Sequence, residues 1–187
     1  MSDLLIELFS EEIPARMQEI AAQQLKNKMV LYLAEEGVSE ISATAFSTPR
    51  RLTLFVNGIP EKSPDTREER KGPRIDAPQK AIDGFLRSVD LELDQLQIRN
   101  DGKVDKYFAL IETSGRASEE IIEKALEKTI KTFPWPKSMR WGSSSLRWVR
   151  PLQGILCILI KDDEPRIIDL EIEGIKSKSV TTGHRFM

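Results

Sequence analysis

The residues with the most evident chemistry are cations set among tryptophans. In the stretch FPWPKSMRWGSSSLRWVRP, residues 133–151, Lys137, Arg140, Arg147 and Arg150 alternate with Trp135, Trp141 and Trp148. The stretch holds every tryptophan of the chain and no acid. Guanidinium and ammonium groups neutralise phosphates, and an indole stacks on an exposed base, so the chemistry that fits is nucleic-acid binding. The same residues also have a structural use. Tryptophan buries a large area, and the rings can plug a sheet while the cations stay in water. The two uses coexist if the indoles face inward and the cations outward.

Other basic groups are scattered. TPRRL places Arg50 beside Arg51, which point to opposite faces if both lie on a strand. RKGPR carries Arg70, Lys71 and Arg74 in what reads as a flexible, solvated loop. TTGHRF joins the single histidine, His184, to Arg185. Histidine is the usual general base, but the sequence offers His184 no orienting partner. The acids of SEEIP suit the positive end of a helix. No hydrolytic triad, paired-carboxylate signature or Gly-rich phosphate loop occurs, and one cysteine with one histidine excludes a zinc cluster. The pattern is that of a binding module rather than a complete enzyme.

The net charge of -2 hides a segregation. Between Glu127 and Asp162 there is no acid, while Lys128, Lys131, Lys137, Arg140, Arg147, Arg150 and Lys161 fall in that window. After the last acid, Glu173, come Lys176, Lys178, His184 and Arg185. For a polyanionic partner a local basic patch matters more than the total.

The elements that must position these groups follow from periodicity. With 187 residues, 40% hydrophobic and 31% charged, the composition is that of an ordinary globular protein. The lone Cys157 sits in GILCILI as a small hydrophobe, which fits a reducing, cytosolic compartment. The N-terminus lacks the basic start of a signal peptide, and no apolar run is long enough for a membrane span. LLIELF reads as a buried strand. A helix is expected from Pro14 to Gly37, with Met17, Ile20, Ala21, Leu25, Met29, Tyr32 and Leu33 as its stripe. RLTLFVNG alternates, with Leu52, Leu54 and Val56 on one face, entered through a bend at Pro49. Residues 60–75 read as a mobile loop or linker.

An inserted helix–hairpin module is expected at about 72–115. Its helix would be capped by Asp76, with Pro78 in the first turn, Gln79 closing a capping box, and a stripe from Ala81 to Val89. Its hairpin turns at NDG, with Tyr107, Ala109 and Ile111 in alternation. SEEIIEKALEKTIKTF is the clearest helix, capped by Ser118. GILCILI and RIIDLEIEG should pair as a hairpin through KDDEP, and SVTTGHRF should be a last strand. The order predicts an α+β fold with an antiparallel or mixed sheet and packed helices.

LLIELFSEEIPARM, TPRRLTL, KGP, GFLRSVDL, FPWPKSMRWG, LRWVRPLQGIL and TTGHRF occur in this order. Together they resemble the N-terminal region of the β subunit of bacterial heterotetrameric glycyl-tRNA synthetases, from about Leu4 to the last residue. One position departs from that pattern: Gly154, where a tryptophan is expected. The resemblance implies a fragment of a longer subunit, without the HD-like and anticodon-binding domains. It implies that the catalytic core, using ATP, Mg and glycine, lies in the α subunit. This fragment would then hold no catalytic residue, metal or cofactor of its own. The implied partners are the α subunit in an α2β2 assembly and tRNA(Gly), in the cytoplasm, with neither membrane nor DNA. On that basis Arg50, Arg51, Lys71, Lys137, Arg140, Arg147, Arg150, His184 and Arg185 are the candidate tRNA contacts. The alternative expectation is a scaffold that docks the α subunit or later β domains without touching tRNA. An independent hydrolytic or editing activity lacks a recognisable nucleophile and base.

Overall fold

The computed structural model describes residues 1–100, 102 and 104–183. The chain divides into two compact units, Met1–Ser63 with Arg116–Met187, and Pro64–Gly115.

The larger unit is built on β1 (Ser2–Ser10), whose burial alternates along its length. Leu4, Ile6 and Leu8 are at most 1% exposed, as period-two alternation requires of a strand with one covered face. β1 pairs antiparallel with β3 (Arg51–Ile59) on one side and β7 (Leu152–Lys161) on the other. β2 (Ser42–Thr48) forms a hairpin with β3 and is the outer strand. β8 (Glu164–Ile167) returns antiparallel along β7. The turn between them takes Asp162 and Asp163 at positive φ. β9 (Glu171–Ile172) and β10 (Ile175–Lys178) then complete a seven-stranded sheet in the order β2-β3-β1-β7-β10-β9, with β8 also on β7. Only β10 runs parallel to its neighbour β7, through Ser177 and Lys178.

Helices α1 (Ala15–Glu35) and α3 (Ser118–Lys131) cover one face of this sheet. Their Leu25, Met29, Leu33, Ile122, Leu126 and Ile130 join Leu4, Ile6, Leu54 and Cys157 in a single core. α1 follows Pro14 and its chain turns at Gly37, as the sequence suggests. Ile20, however, is 58% exposed, and Ala22 takes its place in the buried stripe. The start of α3 also differs from expectation. Ala117 precedes the helix, and Ser118 lies inside it, buried, with an unpartnered hydroxyl. A bridge between Lys62 and Ala117 fixes the entry instead, and the Ser118 amide donates to the Glu61 carbonyl at 3.0 Å. Residues 179–183 are not a strand; the ladder ends at Lys178.

Burial pushes the Cys157 thiol up to about 12. The thiolate is the nucleophile, so folded protein should not react with a thiol reagent at pH 8, and denatured protein should react fully. The linkage has a definite sign. The thiol's contribution to stability is fully present below about pH 9, where both states hold the proton, and is lost as pH rises toward 12, because there the unfolded thiol ionises and the folded one does not. A pH series of thermal melts checks it.

The smaller unit carries β4 (Thr66–Arg74), α2 (Gln79–Val89), a 3-10 turn at Leu93–Gln95, β5 (Gln97–Asn100) and β6 (Asp105–Thr113). Its sheet order is β4-β6-β5. α2 sets Phe85, Leu86 and Val89 against Tyr107, Ala109 and Ile111. β4 occupies the segment whose charge suggested a linker. It has no apolar alternation to reveal it, and it becomes a strand through pairing with β6, from Thr66 opposite Thr113 to Arg74 opposite Lys106. Its charges are those of a guarded edge. Asp76 does not cap α2. It pairs with the Arg74 guanidinium at 2.7 Å, and Pro78 precedes the helix.

The KGP motif interrupts β4, where the register shifts between Lys71 and Arg74. A Cβ on Gly72 would lie 2.5 Å from the Phe85 ring. Glycine is therefore required by the close approach of the helix side chain. Gly72→Ala should destabilise the smaller unit by about 1–3 kcal/mol. Faster amide exchange across Asp105–Thr113 with unchanged protection of Ser2–Ser10 would register it.

The two connections to this unit are tied to each other at their outer ends. Ser63 and Arg116 exchange two hydrogen bonds, Ser63 amide to Arg116 carbonyl at 2.9 Å and Arg116 amide to Ser63 Oγ at 3.0 Å.

Candidate nucleic-acid interface

After α3 the chain meets Pro134 and Pro136, which cannot continue a helix. The segment is anchored by rings instead. Phe133 and Trp148 are buried, at 8% and 1% exposure, and Trp135 is half-buried. The three ring centres lie 4.7–4.9 Å apart. Tilted and edge-on packing of this kind adds to simple area burial. Met139 and Trp148 exchange backbone hydrogen bonds of 2.8 and 3.2 Å, closing residues 139–148 into a loop. Gly142 takes φ 55 in the turn that the Ser144 amide closes on the Trp141 carbonyl at 3.1 Å.

This loop separates indoles from cations. Trp148 is buried, and Lys137, Arg140, Arg147 and Arg150 are all exposed. Arg140 and Arg147 are the residues just inside the Met139–Trp148 bridge. The cations of the acid-free window then divide into two groups. Lys128 pairs with Glu35 at 3.1 Å, Lys131 with Glu127 at 2.5 Å and Lys161 with Glu61 at 3.3 Å. The four loop cations have no carboxylate partner among the described residues. Arg147 donates to Ser138 Oγ at 3.2 Å and Arg150 to the Val149 carbonyl at 3.0 Å. One acid does approach the loop in space. Glu173 accepts from Ser145 Oγ at 2.5 Å, and the serine contacts hold its carboxyl below the usual range.

Arg50 and Arg51 form a second cluster. Arg50 lies in the turn before β3, so strand alternation does not separate the pair. Both guanidinium carbons sit 4.7 Å from the centre of the Phe9 ring. Arg50 donates to the Ser10 carbonyl at 3.2 Å and to Gln153 at 2.9 Å, and pairs with Glu11 at 3.5 Å. Arg51 pairs with Glu7 at 3.3 Å and donates to the Thr182 carbonyl, while Thr181 donates to Glu7. Glu11 thus serves Arg50 and Gln153 and lies outside α1, which has no acid in its first turn. Here the sheet, Lys178 and residues 180–183 line a cleft of about 350 Å³ that includes Gly154. A side chain in place of Gly154 would point toward Phe9, 3.8 Å from its Cβ.

The structure therefore places Arg140 and Arg147 within the loop, Lys137 and Arg150 just outside its closing bridge, and Arg50 against Gln153, three residues after Arg150. Lys71 lies on exposed β4 in the smaller unit. His184 and Arg185 lie outside the described residues. Glu7, Phe9 and Gln153 were not singled out by residue type, yet they lie within LLIELF and LQGIL, the same motifs that carry the resemblance. No group of three metal-ligating side chains occurs among the described residues, and no described helix is long and apolar enough to cross a membrane.

Fold and loop together define an α+β domain that presents uncompensated cations on a tryptophan-anchored loop. Residues 4–187 match the family model described as glycyl-tRNA synthetase beta subunit, and the chain belongs to that family. It is 56% identical over 187 residues to the glycine–tRNA ligase beta subunits of Ruegeria sp. (strain TM1040) and Paracoccus denitrificans (strain Pd 1222). It is 55% identical to that of Dinoroseobacter shibae (strain DSM 16493 / NCIMB 14021 / DFL 12). These matches cover 100% of this chain and 26–27% of the relatives, so the chain spans about a quarter of their length and corresponds to their N-terminal part.

Proposed function

We propose that this chain is a non-catalytic part of a glycine–tRNA ligase that contributes tRNA binding and subunit assembly to ATP-dependent attachment of glycine to tRNA(Gly). The chemistry, with ATP and Mg, belongs to the α subunit of an α2β2 enzyme in the cytoplasm. The observation that carries the reading is the loop of residues 137–150, where four exposed cations have no carboxylate partner among the described residues while the window's other cations do. Exposed cations without a carboxylate partner are available to neutralise the phosphates of a nucleic-acid backbone. The paired Arg50 and Arg51 fit a supporting role better, holding β1, β3 and the stretch after β10 together.

The test is a salt titration of tRNA(Gly) binding. Four phosphate contacts predict a slope of log K against log salt of about -3 to -4. An affinity indifferent to salt, or absent at low salt, would sink the reading.

A second reading, docking of the α subunit, draws on one observation. Met17, Ile20, Ala21, Trp135 and Pro136 line an apolar groove of about 180 Å³. Co-elution with the α subunit that Ile20→Glu abolishes, with tRNA affinity unchanged, would favour it.

A further inference from the structure

We propose that the outer edge of β2 is a strand-docking site, filled in full-length family members by an extended segment of the polypeptide that this chain does not span. That segment pairs with β2 and adds one strand to the main sheet.

An exposed edge offers a row of unpaired amides and carbonyls, and proteins blunt it with charge, proline, bulges or brevity. The other edge strands follow this rule. β4, TREERKGPR, carries charge along its length, a proline and a register shift. β5 is four residues long and contains Arg99, and β9 is two residues long. β8, EPRI, carries Glu164, Pro165 and Arg166, and among the described edge strands β2 alone is unguarded. Its sequence, SATAFST, has seven residues with no charge, proline or glycine. Its register with β3 runs unbroken from Ser42 opposite Asn57 to Thr48 opposite Arg51. Among the described residues no backbone hydrogen bond joins residues 42–48 to any segment other than β3.

The adjoining sheet face fits an added strand as well. Phe46 is 57% exposed on the side of β2 that faces away from the helices, opposite Thr53. Phe55 and Leu5, half-buried and paired with each other, continue this face inward. A docked strand with an apolar side chain beside Phe46 extends that row. On the helix face Ala43 and Ala45 are small and already packed against the core, so nothing bulky blocks the approach.

The length relation with the relatives selects the occupant. The chain spans about a quarter of each, at the N-terminal end, so a full-length member carries far more polypeptide than the main sheet described here. A segment of the same chain competes at high effective concentration, which a second copy or separate subunit lacks. The proposal does not depend on tRNA binding.

Residue-resolved amide exchange on a full-length chain carrying this sequence tests it. In an antiparallel strand alternate residues direct their N–H groups to opposite sides, so about half of the amides in residues 42–48 point away from β3. The expected result is that these outward amides exchange at least about 100-fold slower than free peptide, independently of protein concentration and without the α subunit. Exchange of the outward amides at free-peptide rates overturns the proposal. So does protection that grows with concentration, which indicates a second copy, or protection that appears only when the α subunit is added.

Discussion

Replacing Arg140 and Arg147 together with alanine should lower tRNA affinity roughly 10- to 100-fold at low salt and leave the melting temperature unchanged, if the loop binds tRNA as proposed. The two side chains are exposed, lack carboxylate partners among the described residues, and flank the neck of the loop closed by Met139 and Trp148. On the proposed reading each arginine meets one phosphate, so the salt slope should fall by about 2. Neither side chain is part of the core. Filter binding at several salt concentrations, paired with thermal melts, separates the outcomes. Unchanged affinity and slope would show that the loop does not meet the RNA. A lowered melting temperature would make the arginines structural.

A different result is expected one residue away. Trp148→Ala should destabilise the larger unit by about 3–5 kcal/mol, because a side chain at 1% exposure is removed from contact with Phe133 and Trp135. The vacated space sits under the loop, so tRNA binding falls together with stability. Urea unfolding followed through the remaining tryptophans measures it. A loss below about 1 kcal/mol would mean that the ring cluster does not fix the loop. The pair of experiments distinguishes the loop's two sides: neighbouring positions give loss of binding without loss of stability, and loss of both.

Much of this arrangement was legible in the sequence where burial imposes a period. The alternation in LLIELF and RLTLFVNG located β1 and β3, and the apolar run around Cys157 located the doubly flanked β7. For residues 133–151, type and spacing left two uses open, which inward indoles and outward cations reconcile. The chain was opaque where partners distant in sequence decide the outcome. β4 is a charged segment that only β6 makes into a strand. Ser118 has the chemistry of a cap, but a bridge one residue earlier fixes the helix start. Glu11 was read as a helix-end acid, whereas Arg50, 39 residues away, claims it. Of the candidate site, the loop could be read from local composition. The Arg50–Arg51–Phe9 cluster could not, because strands far apart in sequence assemble it.

The hydrogen-bonded pair Ser63 and Arg116 has a consequence for how this architecture tolerates change. Because these two residues meet directly, the main sheet sees everything between them as one closed loop. The entropy of closing such a loop grows only logarithmically, by about 0.6 kcal/mol for each doubling of its length. Insertions and deletions between these points are therefore nearly free for β1, β3 and β7 to accept, provided the ends stay joined. The neck makes the smaller unit a replaceable cassette, whose size and surface can drift while the sheet that carries it keeps its register.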